Sequence, residues 1–175
     1  MTAALDTTPL WFWAAAAGAL GLALGSFFTV AAHRWPREES LVHPRSHCTA
    51  CARTLRWYEL VPVLSWVAQG GRCRGCGAGI SWRYPAIELA SGALAATAIA
   101  SFGATPRGAA AMILLLALVP VVVIDLEHKL IPDVIVLPSA AAALALAVAA
   151  DPARWWVPVA AAGGASLFLL VLSLV

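Results

Sequence analysis

The sequence predicts an all-α polytopic membrane protein with about five transmembrane helices and one small zinc-ribbon-like insert that carries four cysteines. The first observation is composition: 62% of the 175 residues are hydrophobic and only 11% are charged, whereas soluble domains carry about 25% charged residues. The second is a series of long apolar runs. The third is clustering, because 8 of the 11 Lys and Arg residues and all four cysteines lie in residues 34–83. One polar module is therefore inserted into an otherwise lipid-soluble chain.

The apolar runs define the helices and the domains. Residues 10–32 form a charge-free run of 23 residues, enough to cross a bilayer that needs about 20. Residues 1–9 carry no Lys or Arg, which argues against a signal peptide. Further spans are predicted at residues 84–102, 108–124, 134–150 and 155–175. The predicted domains are a first transmembrane helix at 1–33, a four-cysteine domain at 34–83 and a transmembrane core at 84–175.

A close helix contact is predicted for the first span. Gly21 and Gly25 form a G-x-x-x-G step, and Gly18 lies one turn earlier. Small residues at this spacing let two helix backbones approach each other within a membrane. We therefore expect this face of the first helix to pack against another span.

The polar module is predicted to fold without long helices. Residues 34–82 are rich in Gly, Pro and Arg and contain no run long enough to span, which favours turns and short strands. Residues 58–67 are the one apolar stretch. We expect them to pack against the membrane or against the cysteine turns.

The cysteines form two C-x-x-C pairs, Cys48 with Cys51 and Cys73 with Cys76, separated by 21 residues. Each pair can present two thiolates to one metal ion, and two pairs complete a tetrahedral sulfur shell, so structural zinc is the favoured interpretation. Disulfides would be favoured only in the inverted topology. A redox-active C-x-x-C is the third interpretation, although no thioredoxin-like pattern surrounds either pair. His43 and His47 are interpreted as loop residues, either of which could replace a cysteine ligand.

Loop charges predict the orientation of the chain. The cysteine module carries eight Lys and Arg residues and the turn after the third span carries Lys129, whereas the loops at the other end carry only Arg107 and Arg154. The positive-inside rule then places the amino terminus outside and the cysteine module and the Lys129 turn in the cytoplasm.

An acid at the end of the third span is the main candidate functional residue. Asp125 follows the apolar run directly and falls in the last turn of the predicted helix, where the helix dipole disfavours a negative charge. An ionisable residue in a membrane helix is a functional hypothesis by default, although an ordinary interfacial residue remains the alternative. Asp133 follows Pro132 and precedes an apolar run, so it is interpreted mainly as a helix N-cap.

Several motifs occur together in a fixed order. They are Gly25-Ser26-Phe27, the two C-x-x-C pairs, the segment from Ile80 to Glu88 that reads I-S-W-R-Y-P-A-I-E, Ile124-Asp125, and Ile131-Pro132-Asp133. This ordered set resembles the bacterial type IV prepilin peptidases, the membrane aspartic peptidases that process pilins and type II secretion pseudopilins. The resemblance covers nearly the whole chain.

The resemblance implies an activity, cofactors and partners. Such enzymes cut the leader from a prepilin at the cytoplasmic face of the bacterial inner membrane, and many then methylate the new amino terminus with S-adenosylmethionine. It maps the first catalytic aspartate onto Asp125, and the metal ligands onto Cys48, Cys51, Cys73 and Cys76. The expected partners are prepilin or pseudopilin leader peptides and the lipid bilayer, with no nucleic acid. No residue that binds S-adenosylmethionine can be mapped.

One family motif is missing from the sequence. The second catalytic aspartate of the family lies in a G-x-G-D motif after a further span, and these 175 residues contain none. Asp151 is expected at the opposite side of the membrane. The sequence therefore predicts the amino-terminal part of such an enzyme, without peptidase activity of its own. Two alternatives are a non-catalytic membrane protein whose zinc module docks pilin or secretion components, and a membrane thiol–disulfide protein.

Overall fold

A computed structural model of the chain describes residues 8–173, and within that range it is helical and contains no strand. The helices are α1 Leu10–Arg34, α2 Leu64–Ala68, α3 Arg83–Phe102, α4 Pro106–His128, α5 Asp133–Ala150 and α6 Trp156–Ser173. Short 3-10 turns lie at Trp35–Arg37, Trp57–Leu60 and Pro152–Arg154. The predicted all-α architecture is confirmed.

Within the described residues, four helical segments have the length and apolar composition needed to cross a membrane. They are Leu10–Arg37, Arg83–Phe102, Pro106–His128 and Asp133–Ala150. The fifth predicted span, residues 155–175, corresponds to α6, although residues 174 and 175 lie outside the described part of the chain. The first helix is extended by a 3-10 turn beyond the apolar run, so that its basic end projects towards the cysteine module.

Helices α1 and α3 make the most extensive contact between described helices, and the glycine step lies within it. A Cβ atom added to Gly21 would lie 2.5 Å from the carbonyl oxygen of Ser91 and 2.8 Å from the Cβ of Ala95. At Gly25 it would lie 2.8 Å from the Cα of Glu88. Real Cβ atoms do not approach neighbours so closely, so glycine is required there. The predicted packing role of this step is confirmed.

Two ion pairs join the ends of the helices. At one end, Arg83 at the start of α3 pairs with Glu127 in the last turn of α4. At the other end, Arg107 at the start of α4 lies 3.5 Å from the carboxylate of Asp151 after α5. The turn that follows α4 therefore lies at the same end of the bundle as the start of α3, where the cysteine module joins the helices.

The cysteine module folds through turns, as predicted, but the predicted short strands do not form. Its β-type pairing within the described residues consists of two isolated bridges, His47 with Thr54 and Arg72 with Gly79. Each bridge closes a loop around one C-x-x-C pair, so the chain reverses before a second pair of residues can join a ladder. Within the apolar stretch 58–67, Trp66 packs on the module, where its indole Nε1 donates to the carbonyl of Ile80 at 3.0 Å. Leu64 and Val67 of the same stretch remain exposed, at 69% and 64%.

Candidate metal centre and candidate catalytic carboxylate

The two cysteine turns have the same backbone geometry, repeated 25 residues apart. In the first turn, the N–H of Cys48 donates to the carbonyl of Arg53 at 3.0 Å, and the N–H of Ala52 donates to the carbonyl of Cys48 at 2.9 Å. In the second, the N–H of Cys73 donates to Ala78 at 2.8 Å. The residue after the second cysteine is left-handed in both turns, with φ of 55° at Ala52 and 73° at Gly77. Each turn thereby directs two sulfurs to the same side.

The two turns bring all four sulfurs together. The Sγ atoms of the cysteines lie within 4.8 Å of one another, and the Sγ atoms of Cys48 and Cys76 are 3.8 Å apart. The four cysteines are free thiols, with Cys73 buried and Cys51 and Cys76 exposed. The structure thus assembles the four residues that the sequence predicted as metal ligands.

The sulfurs strongly influence one another's ionisation. The N–H groups of Cys76 and Gly75 lower the pKa of Cys73 from 9.0 to about 6. The Ala78 N–H lowers the pKa of Cys76, but the Cys51 sulfur, burial and the remaining sulfurs outweigh it and raise that pKa to about 11. One thiolate forms readily, and a neighbouring thiol then resists ionisation because the charges repel. A cation between the sulfurs would offset this repulsion and favour ionisation of the whole cluster.

An ion pair between the half-buried Arg53 and the buried Glu59 lies beside the cluster. The guanidinium of Arg53 donates to both carboxylate oxygens of Glu59, at 3.0 and 2.7 Å, and the N–H of Arg56 donates to the same carboxylate at 2.9 Å. The Glu59 carboxylate and the Cys73 sulfur raise the pKa of Arg53 above its usual value. The Nε atom of Arg53 is buried and makes no hydrogen bond within the described residues. An anionic sulfur cluster beside it would compensate this orphaned N–H group.

The donor set fits a zinc ion. Four cysteine sulfurs from two C-x-x-C turns can surround one Zn²⁺ tetrahedrally, and the dication would neutralise the repulsion between them. Neither His43 nor His47 belongs to the cluster formed by the described residues. The Nδ1 atom of His47 lies 3.0 Å from the carbonyl of Arg45, which agrees with its interpretation as a loop histidine.

The candidate catalytic residue Asp125 lies in the last turn of α4, as predicted. Its carbonyl accepts the N–H of Lys129 at 2.9 Å, and Lys129 ends the helix in a left-handed conformation with φ of 56°. The side chain is half-buried. Within the described residues, no hydrogen bond or ion pair joins the Asp125 carboxylate to Glu88, Glu127 or Asp133. It is therefore available for chemistry, but the structure does not bring a second acid into contact with it.

The prediction that Asp133 is a helix N-cap is wrong. Helix α5 begins at Asp133 itself, Pro132 occupies the N-cap position, and no side-chain cap hydrogen bond is made there. Asp133 instead lies in the first turn, where its negative charge interacts favourably with the helix dipole. Pro132 can take the N-cap position because the carbonyl of that residue, and not its missing N–H, starts the helical hydrogen bonds.

Sequence reasoning assigned no role to Glu88 and Arg53. The Oε2 atom of Glu88 accepts the N–H of Val63 at 2.7 Å and ties α3 to the start of α2. An acid within an apolar span was the available signal for Glu88, but its partner lies 25 residues away. Arg53 is one of several arginines in the cysteine module, and the sequence does not distinguish it from the others.

Comparison with known proteins identifies a family domain within this chain. Residues 19–102 match the family model described as the Bacterial Peptidase A24 N-terminal domain. This match covers the second half of α1, the whole cysteine module and α3. No solved structure matches the chain.

The chain is also similar to curated proteins named prepilin leader peptidase/N-methyltransferase. The protein from Myxococcus xanthus is 45% identical over 128 residues, which cover 73% of this chain and 38% of that protein. The Burkholderia pseudomallei (strain 1026b) protein is 40% identical, covering 78% of this chain and 52% of the relative. The Bacillus subtilis protein is 38% identical, covering 87% and 62% respectively. The chain therefore spans about two fifths to three fifths of the length of these relatives.

Proposed function

Because this chain belongs to the bacterial A24 peptidase family through its N-terminal domain, we propose that it takes part in cleaving the leader peptide of type IV prepilins or pseudopilins. The relatives that it resembles are named as prepilin leader peptidases and N-methyltransferases. The observation that carries the proposal is the joint presence, at the same end of an apolar bundle, of the four-sulfur cluster and an acid that has no side-chain partner among residues 8–173. The proposed activity belongs to the whole enzyme, of which this chain supplies the residues described above.

Asp125 is proposed as one carboxylate of an aspartic peptidase site. In such a site two carboxylates share a proton, and one activates water while the other donates a hydrogen bond to the scissile carbonyl. Support comes from the contrast with Glu127, two residues further along, whose carboxylate is held by Arg83. The carboxylate of Asp125 has no such partner within the described residues. Its place at the end of an apolar helix suits a substrate that lies partly in the membrane.

The four cysteines are proposed to hold one structural zinc ion in the domain at residues 34–83. Bound zinc would join the two turns and fix the module beside the bundle, because a closed site of four cysteine ligands contributes folding energy and leaves no open position for catalysis. Arg53 and Glu59 would orient the first turn against the second.

The chain is proposed to lie in the bacterial inner membrane, with its amino terminus outside and the cysteine module in the cytoplasm. The ion pair between Arg83 and Glu127 supports one part of this arrangement, because it holds the turn after α4 beside the exit of the cysteine module. The basic residues concentrate at that end of the bundle, as the positive-inside rule requires of a cytoplasmic face.

The test is to replace Asp125 by Asn in the gene as it occurs in the genome, including any sequence that follows Val175. Cells that lack their own prepilin peptidase would express a tagged prepilin, and leader removal would be followed by gel mobility and mass spectrometry. We expect Asp125→Asn to abolish cleavage, since Asn can neither accept a proton nor share one. Asp133→Asn, an acid at the same end of the bundle, is the matched control and should cleave normally.

Normal cleavage by Asp125→Asn would remove this residue from the active site. If neither wild type nor variant cleaves, while the tagged prepilin still co-purifies with the wild-type chain, the alternative function is favoured. In that case the cysteine module would serve as a non-catalytic docking platform for pilin or secretion components.

A further inference from the structure

Helix α2 of the cysteine module carries apolar side chains on its outer face. Residues three and four positions apart share one face of a helix, and in α2 that face consists of Leu64, Val67 and Ala68, all of them exposed. The opposite face packs on the module through Trp66, whose indole Nε1 donates to the carbonyl of Ile80. A surface helix of a soluble domain has the reverse pattern, with its apolar stripe facing the core. The outer face of α2 is therefore built for an apolar partner.

The 3-10 turn before α2 adds further exposed apolar side chains. Such a turn has three residues per turn, so Trp57 and Leu60 share one face, and they are 76% and 39% exposed. The turn contacts α2 directly. We call the surface formed by Trp57, Leu60, Leu64 and Val67 the apolar face of the module. Exposed apolar surfaces of this kind mark sites that bind proteins or membranes.

The start of α2 lies alongside the apolar part of α1. The N–H of Val63 donates to the carboxylate of Glu88 at 2.7 Å, and Glu88 packs directly against Gly25 of α1. Between Gly25 and Ala32, the last residue of the charge-free run, α1 rises about 10 Å. A glutamate side chain is shorter than this distance, so Val63 and the adjoining Leu64 lie on the membrane side of the charged end of α1. The apolar face thus begins at the level of the bilayer.

Two arginines lie beside the apolar face. The guanidinium of Arg56 donates to the hydroxyl of Tyr58 at 3.1 Å, and the guanidinium of Arg74 lies over the Tyr58 ring, 5.5 Å from its centroid. The same ring is 5.8 Å from that of Trp57. Both arginines are exposed and form no ion pair within the described residues. Aromatic rings with basic side chains next to an apolar surface are complementary to anionic lipid headgroups.

From these contacts we infer that the apolar face of the module inserts into the headgroup boundary of an anionic phospholipid bilayer, with Arg56 and Arg74 beside the lipid phosphates. Interfacial helices bury their apolar side about 5–10 Å into this boundary, which agrees with the level of Leu64 beside α1. A protein partner could also cover an apolar surface, but the position of this one beside two membrane-spanning helices favours lipid. The inference does not depend on the peptidase chemistry proposed for Asp125.

The test is photocrosslinking of the full protein, including any sequence that follows Val175, in nanodiscs of phosphatidylcholine and phosphatidylglycerol. The photoreactive residue p-benzoylphenylalanine replaces Val67, and mass spectrometry identifies what it joins on illumination. Val42 is the matched control, because it is 72% exposed against 64% for Val67 but lies in the loop that Arg34 holds at the charged end of α1. We expect at least fivefold more lipid adduct at position 67 than at position 42.

Polar substitutions on the outer face of α2 provide a second measurement. With the photoreactive residue at position 57, the combined change Leu64→Gln and Val67→Gln should lower the lipid adduct at least threefold, because the face no longer favours the bilayer. Val42→Gln, also at an exposed position, should leave that adduct unchanged. Unchanged hydrogen exchange of residues 72–80 would show that the module stays folded. If the double variant does not fold, the contrast between positions 67 and 42 decides the matter.

The choice of lipid tests the role of the two arginines. Phosphatidylglycerol should be enriched at least twofold among the adducts at position 67, relative to its share of the bilayer, and Arg56→Gln combined with Arg74→Gln should abolish this enrichment. Wild-type adducts without enrichment would contradict the pairing of the arginines with anionic lipid. Equal lipid adducts at positions 67 and 42, or adducts mainly to protein, would overturn the inference. Leader cleavage is measured separately, so failure here leaves the proposed peptidase function standing.

Discussion

Arg83, the first residue of α3, pairs with Glu127 in the last turn of α4, across 44 residues of sequence. The pair joins the helix that leaves the cysteine module to the helix that carries Asp125. His128 approaches the same carboxylate at 3.8 Å. The module and the candidate catalytic acid are thereby held at one end of the bundle through a direct side-chain contact.

Exchange of the two charges tests this contact. Arg83→Glu and Glu127→Arg should each destabilise the bundle, because each places two like charges together. The double variant should recover about 0.2–1 kcal/mol of coupling energy, the range for a pair whose side chains are 45% and 33% exposed. Thermal denaturation in detergent, analysed as a double-mutant cycle, measures this energy. Additive effects would show that the pair does not position α4.

Much of this fold follows from local patterns that sequence can reveal. The spacing of Gly21 and Gly25 predicted a helix contact, and the spacing of the cysteines predicted the sulfur cluster, because each pattern implies its own geometry. Contacts between distant residues were different. Nothing local links Glu88 to Val63 or Arg83 to Glu127, which lie 25 and 44 residues apart, since each contact depends on how the module and the helices pack together.

Metal removal should unfold the cysteine module. We expect the purified chain to contain one zinc ion, because four sulfurs within 4.8 Å repel one another when ionised. A strong chelator should release the metal and expose four reactive thiols. It should also change the fluorescence of Trp66, because this side chain loses its packed environment when the module unfolds. Cys73→Ser should behave likewise without chelator, whereas His47→Ala should keep its full metal content. Elemental analysis showing less than one zinc in the His47→Ala protein would implicate that histidine as a ligand.

The contact between α1 and α3 can be tested with a matched pair of glycines. Gly21→Ala should lower stability by about 1–3 kcal/mol, because the new Cβ would lie 2.5 Å from the Ser91 carbonyl. Gly163→Ala in α6 meets nothing within 4 Å and should be neutral or slightly stabilising, since Ala favours helix over Gly. Thermal denaturation in one detergent compares both with wild type. Equal effects at the two sites would contradict the packing argument.

The ion pair behind the sulfur cluster should make the module sensitive to acid. The Arg53 guanidinium, followed by the Arg56 N–H, lowers the pKa of Glu59 from 4.5 to about 2. A pKa lowered by folding stabilises the folded state fully above pH 4.5, and this contribution disappears as pH falls towards 2. Hydrogen exchange of residues 53–60, corrected for its intrinsic pH dependence, can follow the local opening.

Comparing the protection of wild type with that of Glu59→Gln isolates the effect of this carboxylate, because both proteins contain the same nearby thiols. Wild type should be more protected than the variant by a constant amount above pH 4.5, and the difference should shrink at lower pH. A difference that persists unchanged to pH 2 would mean that charge on Glu59 does not stabilise the module.

Orientation can be tested with a cysteine at each end of the bundle. Ile131→Cys lies in the exposed turn between α4 and α5, and Ala153→Cys lies in the turn between α5 and α6. In intact cells, a maleimide that cannot cross membranes should label Ala153→Cys but not Ile131→Cys, because the basic end is expected to face the cytoplasm. Permeabilised cells should allow labelling at both sites. Labelling of Ile131→Cys, or of the native module thiols, in intact cells would place the cysteine module outside and remove the basis for cytoplasmic leader cleavage.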